Sequence, residues 1–528
     1  MSGFKLDRRG AMQGAMAAAS ASAFVSNLIS PANADDMSDR MLRARSNRDI
    51  NTVDPGYMVG GFEMIWQFAC LPRLASNTPD DEWGWEPSDF VESIEQVDAQ
   101  TISFALKPGM MWRDATSHEV IGEVTAEDVK FSLERVRESE WKDKAASLDN
   151  VEVTGTHTGI IHLNAPFAAV WYTWLTDGTG VIVCKSAVEA LDKPNFEGLA
   201  PFYCGPYRTK EWVQSQFWEI EANPDWEGPE PHIQNVRVII ITEDKSAEIA
   251  FEAGEIDITF VTIESIPRYQ ESVPEGSVLT VYPSTQWYWM GMNTEHPLLQ
   301  DIRVRQAIQS AIDVDLIIEG AWGGVPTRAR GVVPPGLVGH REETDYERPD
   351  PEKARALLAD AGVEGLKIQL KTINLADRMA AAQIIQANLA DVGIELEIIP
   401  MDPGPFWNLG LESEGDDWKD LQLWIMQYGD SPDPSQMTQW YVSGQKGVWN
   451  WERWTDQEYD DLFAAGLAET DEDKRNEIYL RMQEIMEDTG AYVWLMFPPL
   501  GILRRENLEV SIRPNAWSWY FADFAWES

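Results

Sequence analysis

The stretch from Thr101 to Arg137 constrains the fold of this chain more than any other. Its first part, Thr101-Ile-Ser-Phe-Ala-Leu106, alternates Ile102, Phe104 and Leu106 with smaller or polar residues, the period of a half-buried strand. Pro108-Gly109 is a turn signal that stops it. After Met110-Met111-Trp112-Arg113-Asp114, Thr125 stands three positions before Asp128, close to the spacing of a capping box. Val129, Leu133 and Val136 then follow on one helical face. A strand, a turn, a tryptophan–aspartate pair and a capped helix in succession call for an α/β unit.

The same alternation of strand-like and helix-like segments runs on. Val236 to Ile241 is almost continuously apolar, suited to a buried strand. Ala247 to Ala253 is helical, Gly254 ends it, and Ile256-Asp257-Ile258 begins another strand. Leu366, Ile368 and Leu370 alternate; Ile384, Ile385, Leu389 and Val392 form a helical stripe closed by Gly393; Ile394, Leu396 and Ile398 alternate again. A helix between two strands predicts a parallel pair with a right-handed crossover. Before it, Asp350-Pro351 places Asp at the N-cap and Pro at the first helical position, with Gly362 closing that helix. At 528 residues the chain is too long for one ordinary core and predicts two or three domains.

The N-terminus reads as an export signal. Arg8-Arg9 precedes an Ala-rich, weakly polar stretch from Gly10 to Ile29, and Ala32-Asn33-Ala34 forms an A-x-A cleavage site. Residues 1–34 are therefore expected to be removed, leaving Asp35 first. Paired arginines and low hydrophobicity suit a twin-arginine signal; they also occur in general secretory signals, so the route stays open. No Cys follows the cleavage site, so no lipid anchor is expected, and no later run spans a bilayer. The mature chain should be soluble in the periplasm. The net charge is −45, and Lys5, Arg8 and Arg9 against Asp7 make the mature part more acidic still. Such a balance excludes nucleic acid, whose phosphates need Lys and Arg, and adhesion to anionic lipid. It keeps an exported protein dispersed. The three cysteines, Cys70, Cys184 and Cys204, include no C-x-x-C; Cys184 and Cys204 are the nearer pair, but spacing leaves their bonding open. The six histidines form no metal motif, no calcium loop occurs, and no cofactor or metal is expected.

The strand Thr101–Leu106, Trp112-x-Asp114 and the helix from Thr125 together resemble the signature of family 5 extracytoplasmic solute-binding proteins, the dipeptide-, oligopeptide- and nickel-binding receptors of ABC importers. Gly205-Pro206-Tyr207, Asn223-Pro-Asp-Trp226-Glu-Gly228 and Ala253-Gly254-Glu255-Ile256-Asp257 resemble further strings of that family. So do Asn293, Pro297, Asp301, Arg303-Val-Arg-Gln-Ala-Ile308 and Ala311-Ile312-Asp313, and the helices read over 456–467 and 475–488. Two departures stand out: Ala115 replaces the usual Gly after Trp-x-Asp, and the insert over 117–123 is longer. The resemblance spans essentially the whole mature chain, in the family's order. It implies an α/β fold of two lobes, a type II periplasmic binding protein with an extra subdomain in lobe I and two crossing strands as hinge. Lobe I would comprise 35–290, with the subdomain at about 73–204; lobe II would comprise 291–494; and 495–528 would return to lobe I. The crossings are expected near Trp287–Asn293 and Val493–Phe497. The implied partners are a small solute and the membrane permease with its cytoplasmic ATPase. The protein would be a monomer without catalytic activity.

Ligands of such folds sit between the lobes, where closure removes them from water. Tyr428-Gly429-Asp430-Ser-Pro-Asp433-Pro434 follows an apolar strand and forms the sharpest candidate site. In peptide-binding members an aspartate four residues before the Pro of an acidic-Pro pair holds the ligand's α-ammonium, and Asp430 occupies that position. A cleft carboxylate that loses water needs a cation, and an ammonium supplies one. Asp433 is expected to organise the turn. The resemblance adds Tyr428 as a contact to the ligand backbone, Trp407 as a pocket aromatic, and Tyr57, after Asp54-Pro55, from lobe I. Trp287 and Trp289 alternate with Tyr288 at the expected first crossing, so one face can look into the cleft. Aromatic rings beside a carboxylate suit a cation. Arg328 and Arg330, in a Gly/Pro-rich loop, are the only arginines offered for a ligand carboxylate. That leaves peptides, opines, other amino compounds and, as the alternative, oligosaccharides. A secreted hydrolase is disfavoured by the lack of a G-x-S-x-G elbow, and the transporter ATPase by the lack of a P-loop. If the export reading holds, N-terminal sequencing of the exported protein begins at Asp35; an intact Met1 would refute it.

Overall fold

The computed structural model describes residues 40–58, 60–79, 84–193, 195–429, 431–512 and 519–527. The export signal and its cleavage site lie outside them, as does Asp430.

Two separate sheets carry the two lobes. In the first, seven strands run in the order Tyr207–Val213, Phe217–Ala222, Asn235–Ile240, Leu42–Ser46, Ile258–Val261, Leu500–Arg505 and Ser277–Tyr282. The apolar run from Val236 is indeed an inner strand, parallel to Leu42–Ser46 with Leu42 opposite Val236. In the second, six strands run Thr327–Arg328, Tyr492–Phe497, Gln286–Met292, Leu423–Gly429, Lys367–Ile373 and Glu395–Met401. Lys367–Ile373 and Glu395–Met401 are parallel neighbours joined through the helix Ala376–Asp391, as the two alternations around a helical stripe require. Asp350 caps its helix by accepting the Lys353 N–H at 2.9 Å. Gly362 and Gly393 take φ of +69° and +87°, values an L side chain resists.

The expected crossings shift by a few residues. Both Gln286–Met292 and Tyr492–Phe497 belong to the second sheet, where they pair antiparallel. The chain passes between lobes just outside them, at 283–285 and 498–499, because Ser277–Tyr282 and Leu500–Arg505 already pair with each other in the first sheet. The second lobe has a core on each face of its sheet. Tyr288, Met290, Ile368 and Leu370 pack on one side against helices Ile302–Ala311, Val314–Trp322 and Ala376–Asp391. Trp287, Trp289, Trp424 and Met426 pack on the other against Gln457–Ala468 and Glu472–Asp488.

The segment around Thr101–Arg137 is inserted within the first lobe, between the strands Leu42–Ser46 and Tyr207–Val213, and forms its own antiparallel sheet, Val91–Asp98, Thr101–Leu106, Thr158–Leu163 and Leu148–Val153. Ile102, Phe104 and Leu106 are buried in one core with Val129 and Leu133 of the helix Ala126–Arg135 and with Val136, which follows it. The Asp128 carboxylate accepts the Thr125 N–H at 2.9 Å, which closes the capping box. Asp114 accepts the N–H groups of Thr116 and Ser117 at 2.9 and 2.7 Å, and these bonds hold its carboxyl below the usual range. Gly205 is required by close approach: a Cβ there would lie 2.5 Å from the Ala69 carbonyl. Cys70, Cys184 and Cys204 are all buried free thiols.

Asp54 is one of the most heavily bonded acids of this lobe. It has no exposed surface, and it accepts from both Arg135 Nη atoms at 2.7 and 2.9 Å, from Gly56 N at 3.0 Å and from Phe196 N at 3.2 Å. Removing one partner of a buried ion pair typically costs about 3–5 kcal/mol. Asp54→Ala should therefore lower unfolding stability by that order in urea denaturation; a change below about 1 kcal/mol would show that solvent replaces the pair.

Candidate functional site

The strand Leu423–Gly429 ends at the loop that carries Asp430, beside the first lobe. On the loop's far side Asp433 caps the helix Pro434–Thr438, accepting Ser435 N at 2.9 Å. Both its oxygens also receive Arg475 Nη2, at 3.0 and 2.9 Å, and the pair is almost fully enclosed. Asp433 thus fixes the start of the helix Pro434–Thr438 and is enclosed away from a solute. Lys144 of the first lobe reaches Ser431 Oγ at 3.3 Å. Nearby, Ala168 N–H donates to the Leu467 carbonyl at 2.8 Å, again from one lobe to the other. The loop therefore sits where the lobes meet.

Four of the six residues expected to touch solute gather into one aromatic group. Tyr428 is its centre: Trp289 lies 4.9 Å away, Trp287 5.9 Å and Trp407 6.5 Å, the last nearly parallel. Trp287 and Trp289 do not reach the surface of the group. Both are fully enclosed, and their indole N–H groups are spent on Tyr441 Oη at 3.0 Å and Glu452 Oε1 at 2.7 Å. They form the floor under Tyr428, because the strand that carries them lies inside the second sheet. Tyr428 and Trp407 are half-buried, and Tyr428 Oη donates to the Trp449 carbonyl at 3.0 Å. Trp440 and Trp449, which the sequence did not single out, complete the wall at 5.6 and 6.1 Å from Tyr428. Tyr57 stands on the other lobe, half-buried in the turn that Asp54 organises.

The arginines of the 328–330 loop are already committed. Arg328 binds Asp315 at 2.8 Å, and Arg330 binds Glu347 through two bonds of 2.8 and 2.7 Å. Arg378 lies deeper and meets no carboxylate of the described residues within hydrogen-bond distance. It is 4% exposed and stacks on the ring of Tyr288 with its guanidinium carbon 3.9 Å from the centroid. One Nη donates to Gln427 Oε1. Its Nε is buried without a hydrogen-bond acceptor. Asp377, 3.6 Å from that Nε, is itself held by Trp322 Nε1 at 2.9 Å. A buried guanidinium with an idle donor has capacity for a further acceptor, and Gln427 lies three residues before Asp430 in sequence.

Beneath the aromatic wall, Glu452 is enclosed completely. Burial pushes its pKa up to about 8 despite the bond from Trp289, and its Oε2 has no partner. The rings of Tyr428, Tyr441 and Tyr492 surround it, and burial raises all three phenols. At neutral pH Glu452 is therefore a neutral acid. Among the described residues no group of three His, Cys, Asp or Glu side chains could hold a metal ion, and no helix is long and apolar enough to cross a membrane.

A sequence profile of bacterial extracellular solute-binding proteins, family 5 Middle, matches residues 87–449. The chain belongs to that family. This family 5 protein is 26% identical to the dipeptide-binding protein of Escherichia coli K12 over 435 residues, 76% of this chain and 78% of that one. In three dimensions it resembles the ABC transporter substrate-binding protein CtaP of Listeria monocytogenes, with a TM-score of 0.79 at 19% identity, covering 93% of this chain and all of that one. NikA of Brucella suis, solved with Fe(III)-EDTA, gives 0.77 at 19% identity over the same shares. The family is one of solute receptors, and the two-lobed fold is common to all three.

Glu452 makes this lobe's stability depend on pH. Its folded pKa is raised above the unfolded value of about 4.3. Its contribution is therefore whole below about pH 4.3 and is lost progressively as pH rises to about 8. Glu452→Gln keeps an acceptor for Trp289 and carries no proton to lose. The stability difference should move in the variant's favour by about 1.4 kcal/mol per pH unit across that window, read as urea midpoints from pH 5 to 8. A difference independent of pH would show that Glu452 does not titrate there.

Proposed function

We propose that this family 5 protein is the exported receptor of an ABC importer and that its solute is a short peptide. The peptide lies between the lobes with its α-ammonium on Asp430 and its α-carboxylate on Arg378. The protein works as a monomer in the periplasm and releases the solute unchanged to the permease. The observation that carries the peptide reading is Arg378, a buried, under-paired guanidinium held by the residue three before Asp430. Three residues of chain span at most about 11 Å. The charged ends of an extended dipeptide lie on the order of 6 Å apart, from one Cα–Cα step plus a bond at each end. That reach leaves room for a zwitterion of that size to meet both charges. Tyr428, Trp407, Trp440 and Trp449 wall the amine from water and leave room for apolar side chains. The name of the Escherichia coli relative, a dipeptide-binding protein, agrees with this choice of solute. An uncharged oligosaccharide would use the rings and leave Arg378 idle.

Calorimetry with a dipeptide set, each as free acid and as C-terminal amide, tests the assignment. Asp430→Ala should weaken both forms by roughly two to four orders of magnitude, the loss of a buried pair. Arg378→Met should weaken only the free acid, by about a hundredfold, and leave the amide nearly unchanged. Equal losses for acid and amide would remove Arg378 from the site. Wild-type affinity in Asp430→Ala would remove Asp430.

A further inference from the structure

We infer that the second lobe holds a single buried water molecule against the outer edge of the strand Tyr492–Phe497. The edge strand Thr327–Arg328 pairs only with Phe497 and Met496, and Ala329 N–H then takes the Leu495 carbonyl. At the other end Gln309 Nε2 donates to the Tyr492 carbonyl at 2.8 Å. Between these two seals the sheet edge borders a cavity of about 20 Å³, lined by Gln309, Arg328, Trp494 and apolar neighbours such as Ile312 and Val314. That volume holds one water, which needs about 10–15 Å³ of this measure.

Three residues that line this cavity each carry a polar atom buried without a partner: Gln309 Oε1, Arg328 Nε and Trp494 Nε1. Their chemistry fits water and nothing else of that size. Two are N–H donors, so a cation such as ammonium or sodium meets hydrogen atoms, not lone pairs. The third is an acceptor, and its identity is fixed: Gln309 must present its NH2 to the Tyr492 carbonyl, so its oxygen is the atom left for another partner. Glu487 also lines the wall, so an anion there would have a carboxylate as a neighbour. The charge of Arg328 is already met by Asp315 and by the Tyr346 carbonyl at 3.0 Å. A water accepts from Arg328 and Trp494 and donates to Gln309, three bonds in all, and leaves no orphan. It joins the helix Ile302–Ala311, the edge strand and the strand by which the chain leaves the lobe.

A crystal structure at a resolution that orders solvent tests this directly. One spherical peak should lie within 2.7–3.2 Å of all three atoms. A bromide soak should give no anomalous signal there, and selectively 15N-labelled protein should show a long-lived water cross-peak at the Trp494 indole proton. An empty cavity, an anomalous halide peak, or a Trp494 indole proton without a water contact would each overturn the assignment.

Discussion

The antiparallel pairing of Gln286–Met292 with Tyr492–Phe497 is the constraint on which the rest of the molecule depends. These two strands, where the chain enters and leaves the second lobe, lie side by side with Gly291 opposite Tyr492. Everything between them is a closed excursion. Its closure entropy grows only by about 0.6 kcal/mol per doubling of length, so a loop this long is thermodynamically acceptable. The pairing also forces the two passages between lobes, at 283–285 and 498–499, to run next to each other. Gly291 shows how tightly the pair is built in. A Cβ there would lie 2.4 Å from both Glu452 Oε1 and Trp424, so the strand, the buried acid and the aromatic floor must fit together.

Local periodicity carried the sequence reading where the structure is itself local. Ile102, Phe104 and Leu106 face one core, and Asp350-Pro351 caps a helix, because each depends only on its neighbours in sequence. The motif residues of the family resemblance prove to be framework: Asp114 builds a turn, and Asn223 ties its amide to the Gly205 carbonyl at 2.9 Å. Periodicity failed where both faces of a strand are buried. Trp287 to Met290 and Tyr492 to Phe497 are apolar throughout, so they carry no mark of which lobe owns them or which ring meets solute. Arg378 sits in an ordinary helical pattern, and only its place over Tyr288 sets it apart. Glu452, in Trp451-Glu-Arg-Trp454, looks like a surface charge next to Arg453; the flanking tryptophans were the only hint of burial. Arg328 and Arg330 were offered for a carboxylate because the sequence hides Asp315 and Glu347, which already hold them.

The uneven charge has a structural logic. Acids outnumber bases by 87 to 42, and many of the bases are consumed inside. Arg43 binds Asp257 through two side-chain bonds of 2.9 and 2.8 Å, and Arg135 and Arg475 serve Asp54 and Asp433 in the same way. The surplus of carboxylate is left for the surface, where it keeps the protein dispersed.

The first sheet has a gap that only the end of the chain can fill. Leu500–Arg505 lies between Ile258–Val261 and Ser277–Tyr282 and bonds to both. During synthesis those two strands emerge, and then wait while the whole second lobe is made. At ordinary elongation rates the wait is roughly 10–45 s. Throughout it, two facing strand edges stand open with an apolar slot between them, a surface that invites pairing with other chains. The second lobe, by contrast, is one unbroken length of chain and completes its sheet as soon as Tyr492–Phe497 arrives. The lobe whose residues come first is therefore the one finished last, and the nascent chain stays dependent on protection until nearly its final residues are available.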